Sequence, residues 1–101
     1  MDRIKRIEAM EEKFNAAGAA VRALDRALDD YLGVQEDLRA LEGYLSGAER
    51  REDLRADEAG LLPAGLRRGV LSEDGLYDLL EANDELRRRL ADCTATREEP
   101  R

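Results

Sequence analysis

From Ile7 onward the apolar residues recur at alternating steps of three and four: Ile7, Met10, Phe14, Ala17, Val21, Leu24, Leu28 and Tyr31, then Leu38 and Leu45. Gln35 and Glu42 fall at the two stripe positions in between. A helix turns once in about 3.6 residues, so this spacing lays one apolar seam along one face, the a/d pattern of a coiled coil. Asp2 can cap the first turn and Ser46-Gly47 supplies a stop. The seam therefore predicts a long N-terminal amphipathic helix over about residues 3–45, with Gly33 as its expected kink and Gly18 as a second candidate break. Ala16, Ala17, Ala19, Ala20 and Ala23 around Gly18 favour helix and let another helix approach closely.

The remainder also reads as helix. Residues 48–58 are good helix formers with Leu54 as the one large apolar contact, which predicts a short, mostly exposed helix. Gly60, Gly65 and Gly69 with Pro63 forbid a long helix across 60–71. Leu61, Leu62, Leu66, Val70 and Leu71 would be wasted in a floppy linker, so this Gly/Pro loop is expected to be ordered. Ser72 is a good helix N-cap, Glu73 and Asp74 suit a first turn, and Leu71 can staple to Leu76, which starts a C-terminal helix at about 73–92. Its buried stripe is Leu76, Leu79, Leu80, Asn83, Leu86 and Leu90, and Arg87, Arg88 and Arg89 complement the dipole at its end. The expected fold is all-α, a helical bundle or hairpin, with one helical domain over 1–92 and a frayed tail over 93–101.

Straight, the first helix would reach about 65 Å, against about 32 Å for the last, so half of the seam has nothing in the chain to cover it. Composition points the same way. Leu, Ile, Val and Phe make only 22 of 101 residues, close to the roughly 20% at which highly charged chains stay disordered. A lone Cys93 excludes an internal disulfide and the absence of His removes the commonest metal ligand. Self-association is left as the supplement, and a homodimer through the long helix is the expectation. The net charge of −7 argues against nucleic acid as a partner, because phosphate binding draws on Lys and Arg, and against an anionic membrane surface. No apolar run approaches a membrane span, and Met1 to Glu12 is too charged for a signal peptide. The expected location is the cytoplasm.

Carboxylates are the first candidate site. Asp53, Asp57 and Glu58 lie on or near one helical face, where like charges repel unless neutralised. Arg67 or Arg68, carried back by the Gly-rich turn, is the expected neutraliser, forming a structural ion pair of Asp53 and Asp57 with Arg68. The alternative is a divalent cation held by Asp53, Asp57, Glu73 and Asp74, since hard cations select carboxylate oxygens. Counting Asp53 as position 1 of an EF-hand puts Glu58 where Gly is required and Ala64 where the last Glu belongs, so that motif is excluded. The run GLLPAGLRRGVLSED lacks the spacings of a phosphate loop, and Glu73 and Asp74 would repel a phosphate there.

Tyr77 sits one residue off the Leu76, Leu80 line, where it could face the loop and close a groove. With Leu62, Leu66, Arg67 and Arg68 it makes the candidate surface for a protein partner. Tyr31 and Tyr44 suit core packing with a bonded hydroxyl. Neither Cys93 nor Ser72 has a His to act as its base, so no catalytic constellation is visible and no cofactor is implied.

The segment 44–80 resembles a bacterial family of roughly hundred-residue proteins that is a domain of unknown function. The resemblance rests on Tyr44, Ser46, Arg51, Asp53, Asp57, Gly60, Leu62-Pro63, Leu66, Arg68-Gly69-Val70-Leu71-Ser72-Glu73-Asp74 and Tyr77, and departs from the family pattern at Leu45 and Arg50, where aromatic residues stand. It implies a fold and a size, and no activity. The expected role is therefore a non-enzymatic interaction or structural module, dimeric through its long helix, that presents the loop and the start of the last helix to another cytoplasmic protein. A divalent-metal-binding protein is the alternative.

Overall fold

The computed structural model describes residues 2–97, and all of their regular structure is helical. It comprises α1 (Arg3–Gly33), α2 (Gln35–Ser46), α3 (Ala48–Glu58), a 3₁₀ turn (Gly69–Leu71) and α4 (Gly75–Arg97). The long helix expected over 3–45 is thus two helices, broken beside Gly33. Gly33 is a poor helix former and Val34 is β-branched. Val34 leaves helical geometry at φ −108° and ψ 11°. Its N–H donates to the Tyr31 carbonyl at 3.2 Å, and the Gln35 side chain donates to the same oxygen at 2.9 Å. Gly18, the other candidate break, lies within uninterrupted helix. Asp2 does not cap: its carbonyl accepts the Arg6 N–H at 3.0 Å, while its carboxylate makes no cap hydrogen bond.

The chain divides into two compact units, one ending at Glu36 and the other beginning at Asp37. The first is essentially α1, whose 31 residues include none that is buried. Its seam stands open: Ile7, Met10, Phe14, Val21 and Leu24 are each more than half exposed, and Leu28 is 41% exposed. No helix among the described residues is long and apolar enough to cross a membrane.

The second unit holds what core there is. Leu38 of α2 and Leu76 and Leu80 of α4 are buried, each less than a tenth exposed, and Asn83 is buried beside them on the α4 stripe. The two periodic positions of α2 lie in this unit, Leu38 buried and Leu45 half-buried. Gly47, extended at φ −87° and ψ 163°, turns the chain between α2 and α3. A Cβ there would lie 2.9 Å from the Gly43 carbonyl oxygen, which only glycine avoids.

Helix α3 ends in a Schellman motif. Gly60 takes φ +72°, its N–H donates to Asp57 O at 3.1 Å, and the Leu61 N–H reaches back to Ala56 O at 2.9 Å. The chain then crosses to the 3₁₀ turn, which packs on both α3 and α4. Helix α4 starts at Gly75, two residues later than Ser72 as an N-cap requires. The Ser72 hydroxyl still accepts the Gly75 N–H at 3.1 Å, and it donates to the Gly69 carbonyl at 2.7 Å. At its far end α4 passes the expected stop near residue 92 and runs to Arg97, with Thr94 Oγ1 donating to Leu90 O at 3.0 Å. The rest of the expected tail, from residue 98, lies outside the described residues.

Candidate functional site

One face of α3 carries Arg50, Leu54 and Asp57, spaced four and three apart and so neighbours on the helix surface. These residues hold the following loop. Arg68 turns back so that its Nη1 lies 3.0 Å from Asp57 Oδ1, the two side chains being 34% and 30% exposed. Its Nη2 donates to Pro63 O at 2.5 Å and to Leu62 O at 3.4 Å. The Pro63 oxygen also accepts the Leu66 N–H at 3.2 Å, so residues 62–68 close on themselves. Only the Nε of this guanidinium is buried without a partner.

A second arginine fixes the next stretch. Arg50 donates from Nε to Val70 O at 3.0 Å and from its Nη2 to Ser72 O at 3.3 Å. Both carbonyls flank the end of the 3₁₀ turn, whose geometry leaves them without helical partners. Charged donors on backbone oxygens make strong hydrogen bonds, which explains how a Gly-rich segment is held in one conformation.

Asp53 does not join the expected ion pair with Arg68. Its Oδ2 accepts the Tyr44 hydroxyl at 2.6 Å, across the turn between α2 and α3. That bond raises the Tyr44 pKa, because the proton is shared with a carboxylate, and desolvation and the Asp53 charge act in the same direction. Arg50 opposes them and Glu49 adds to them, both more weakly. Nor do the four carboxylates of the alternative reading gather into a metal site. Asp57 is engaged by Arg68 and Asp53 by Tyr44, Glu73 and Asp74 are exposed, and no group of three or more such ligands gathers among the described residues.

The candidate partner surface is also rearranged. Arg68 and half-buried Leu62 belong to the loop's own clasp, whereas Leu66 is 50% exposed and Arg67 is exposed, with no carboxylate partner among the described residues. Tyr77 is 58% exposed. It lines an open groove of about 460 Å³ with Leu45 of α2 and Leu80, Glu81, Asp84 and Arg88 of α4. Its lining combines Leu45, Tyr77 and Leu80 with the charged Glu81, Asp84 and Arg88.

Sequence reasoning missed the role of Arg50 and, for the expected bonded hydroxyl of Tyr44, its partner Asp53. The signal for Arg50 was its spacing from Leu54 and Asp57, which places all three on the loop-facing side of α3. The partner of Tyr44 offered no comparable signal, since it lies across a turn whose geometry no periodicity encodes.

Neither the curated proteins nor the solved structures include a match to this chain. A family profile does match it over residues 7–92, from the first position of the α1 seam to the penultimate turn of α4. By that match over most of its length, the chain belongs to the DUF4298 family, a domain of unknown function.

Proposed function

We propose that this chain is a protein–protein interaction or structural module that works as a homodimer joined through α1. The observation that carries the reading is the exposure of an entire helix: α1 spans 31 residues and none is buried. An isolated helix in water is marginal, and most helices in proteins are stabilised by packing an amphipathic face. Here that face is four heptads long, enough for a coiled coil. A second copy of the chain supplies the same seam and so meets it with matching length and spacing.

The dimer presents Leu66, Arg67 and Tyr77 to another cytoplasmic protein. Of the five candidate residues these three are exposed, whereas Leu62 and Arg68 are engaged in the loop's own hydrogen bonds. The role is binding rather than catalysis. Support comes from the absence of His and from a Ser72 hydroxyl engaged with Gly69 and Gly75.

Light scattering behind size exclusion tests the dimer. The expected mass is about twice the 11.3 kDa chain, and Phe14→Glu with Leu24→Glu should return the mass of a single chain. A wild-type monomer at high micromolar concentration would sink the reading. The partner surface is tested by affinity capture with wild type and an Arg67→Ala, Tyr77→Ala variant. Identical recovery by both would move the binding surface elsewhere.

A further inference from the structure

We infer that the two α1 helices of the dimer pair antiparallel, about a twofold axis beside Gly18 and Ala19. This rests on the dimer proposed above and adds the orientation, which that reading leaves open. The first observation is a pair of large apolar residues that lie off the seam. Ile4 is 65% and Leu32 58% exposed, and each stands at the position immediately after a d position. They lie fourteen residues to either side of Gly18, which occupies the same kind of position.

Antiparallel helices bring this flank of one chain against the same flank of the other. Ile4 then meets the partner's Leu32 at each end, and Gly18 meets the partner's Gly18 at the centre. Parallel helices pair it with the opposite flank instead. Leu32 would then face the partner's Ala27, and Ile4 would precede any facing residue of the helix.

The seam itself favours the same choice. In a parallel pair every layer is a residue against its own copy, so Phe14 against Phe14 would sit next to Ala17 against Ala17. The widest layer would hold the helices apart at the narrowest one and leave a void. In the antiparallel register Ile7 packs on the partner's Tyr31, Met10 on the partner's Leu28, Phe14 on the partner's Leu24 and Ala17 on the partner's Val21. The layers then narrow smoothly towards the small residues at the centre.

Charge alone would choose otherwise. A parallel pair sets Arg6 near the partner's Glu11, whereas the antiparallel one sets Glu11 near the partner's Asp25. Exposed pairs of this kind contribute little, while leaving Ile4 and Leu32 uncovered forfeits two large apolar side chains at each end. Apolar burial decides the orientation.

The test uses the full chain carrying Cys93→Ser. Met10→Cys and Leu28→Cys variants are mixed in equal amounts, refolded together and oxidised. The expected product is the mixed disulfide between positions 10 and 28, at least tenfold over either symmetric one, since the two copies of position 10 would be about 27 Å apart. A spin label at Lys5→Cys, on the outer face, gives an independent distance, expected near 42 Å for antiparallel helices. A dominant symmetric disulfide at position 10, or a label distance below about 25 Å, which is two helix diameters, in a protein of dimer mass overturns the orientation and leaves the dimer standing. Monomer mass for the Cys93→Ser parent overturns the dimer and the orientation with it.

Discussion

Arg68 reaches back eleven residues to place its Nη1 3.0 Å from Asp57 Oδ1, while its other terminal nitrogen closes the loop onto Pro63. One side chain therefore serves an ion pair and a loop closure, and the two partners are not equivalent. Arg68→Ala should lose both functions and cost about 1–3 kcal/mol. Asp57→Asn should cost less, because the carbonyl bonds survive. Urea denaturation of the two single variants and the double variant checks this, and additive losses would show that the pair is not coupled.

Ser72 and Gly75 form a second such relationship. An alanine Cβ at position 75 would run into Ser72 Oγ, so Gly75→Ala should destabilise by about 1–3 kcal/mol, as overpacking does. Removing the obstructing oxygen should relieve part of this. In a Ser72→Ala background Gly75→Ala is therefore expected to cost less than in wild type, although Gly69 O remains 3.2 Å from the new carbon. A full cost in both backgrounds would assign the requirement for glycine to something other than this contact.

Glycines along the loop should differ sharply from one another. Gly60→Ala forces φ +72° on an L-residue and should cost about 1–2 kcal/mol. Gly65→Ala and Gly69→Ala place a Cβ in open space at ordinary φ and should stay within about 0.5 kcal/mol of wild type. Thermal melts of the three variants rank them directly.

The Tyr44–Asp53 bond predicts a pH dependence of definite sign. The folded chain holds the tyrosine proton more tightly than the unfolded one, since its pKa is raised. Its contribution is therefore complete below the ordinary tyrosine value of about 10 and is lost as pH rises through the raised value. The stability difference between wild type and Tyr44→Phe should shrink across that alkaline window. A difference that stays constant to the highest pH reached would remove the bond's role.

Much of the fold was legible because helix signals are local. The stop at Ser46-Gly47, the helix over 48–58 and the ordered character of 60–71 follow from residue types within a few positions of one another. The break at Val34 was legible only in part. Gly33 marked the weak point, yet the Gln35 side chain that also donates to the Tyr31 carbonyl at the break was read merely as a polar interruption of the seam. The candidate site was harder to read. Charge counting found Arg68 and Asp57, but it assigned Asp53 to the same pair because it weighed spacing along α3 without the turn that delivers Tyr44. Arg50 was seen as a departure from a pattern and not as a donor, since its acceptors are backbone oxygens, which a sequence does not display.

The sparse core of the second unit, with only Leu38, Leu76 and Leu80 buried among its described hydrophobic residues, has a consequence for the chain's lifetime in a cell. So small a core leaves little margin between folded and open forms, and proteases act on the open one. Any binder that covers Tyr77 or Leu66 favours the folded form by mass action. The abundance of the chain should then rise and fall with the supply of whatever it binds.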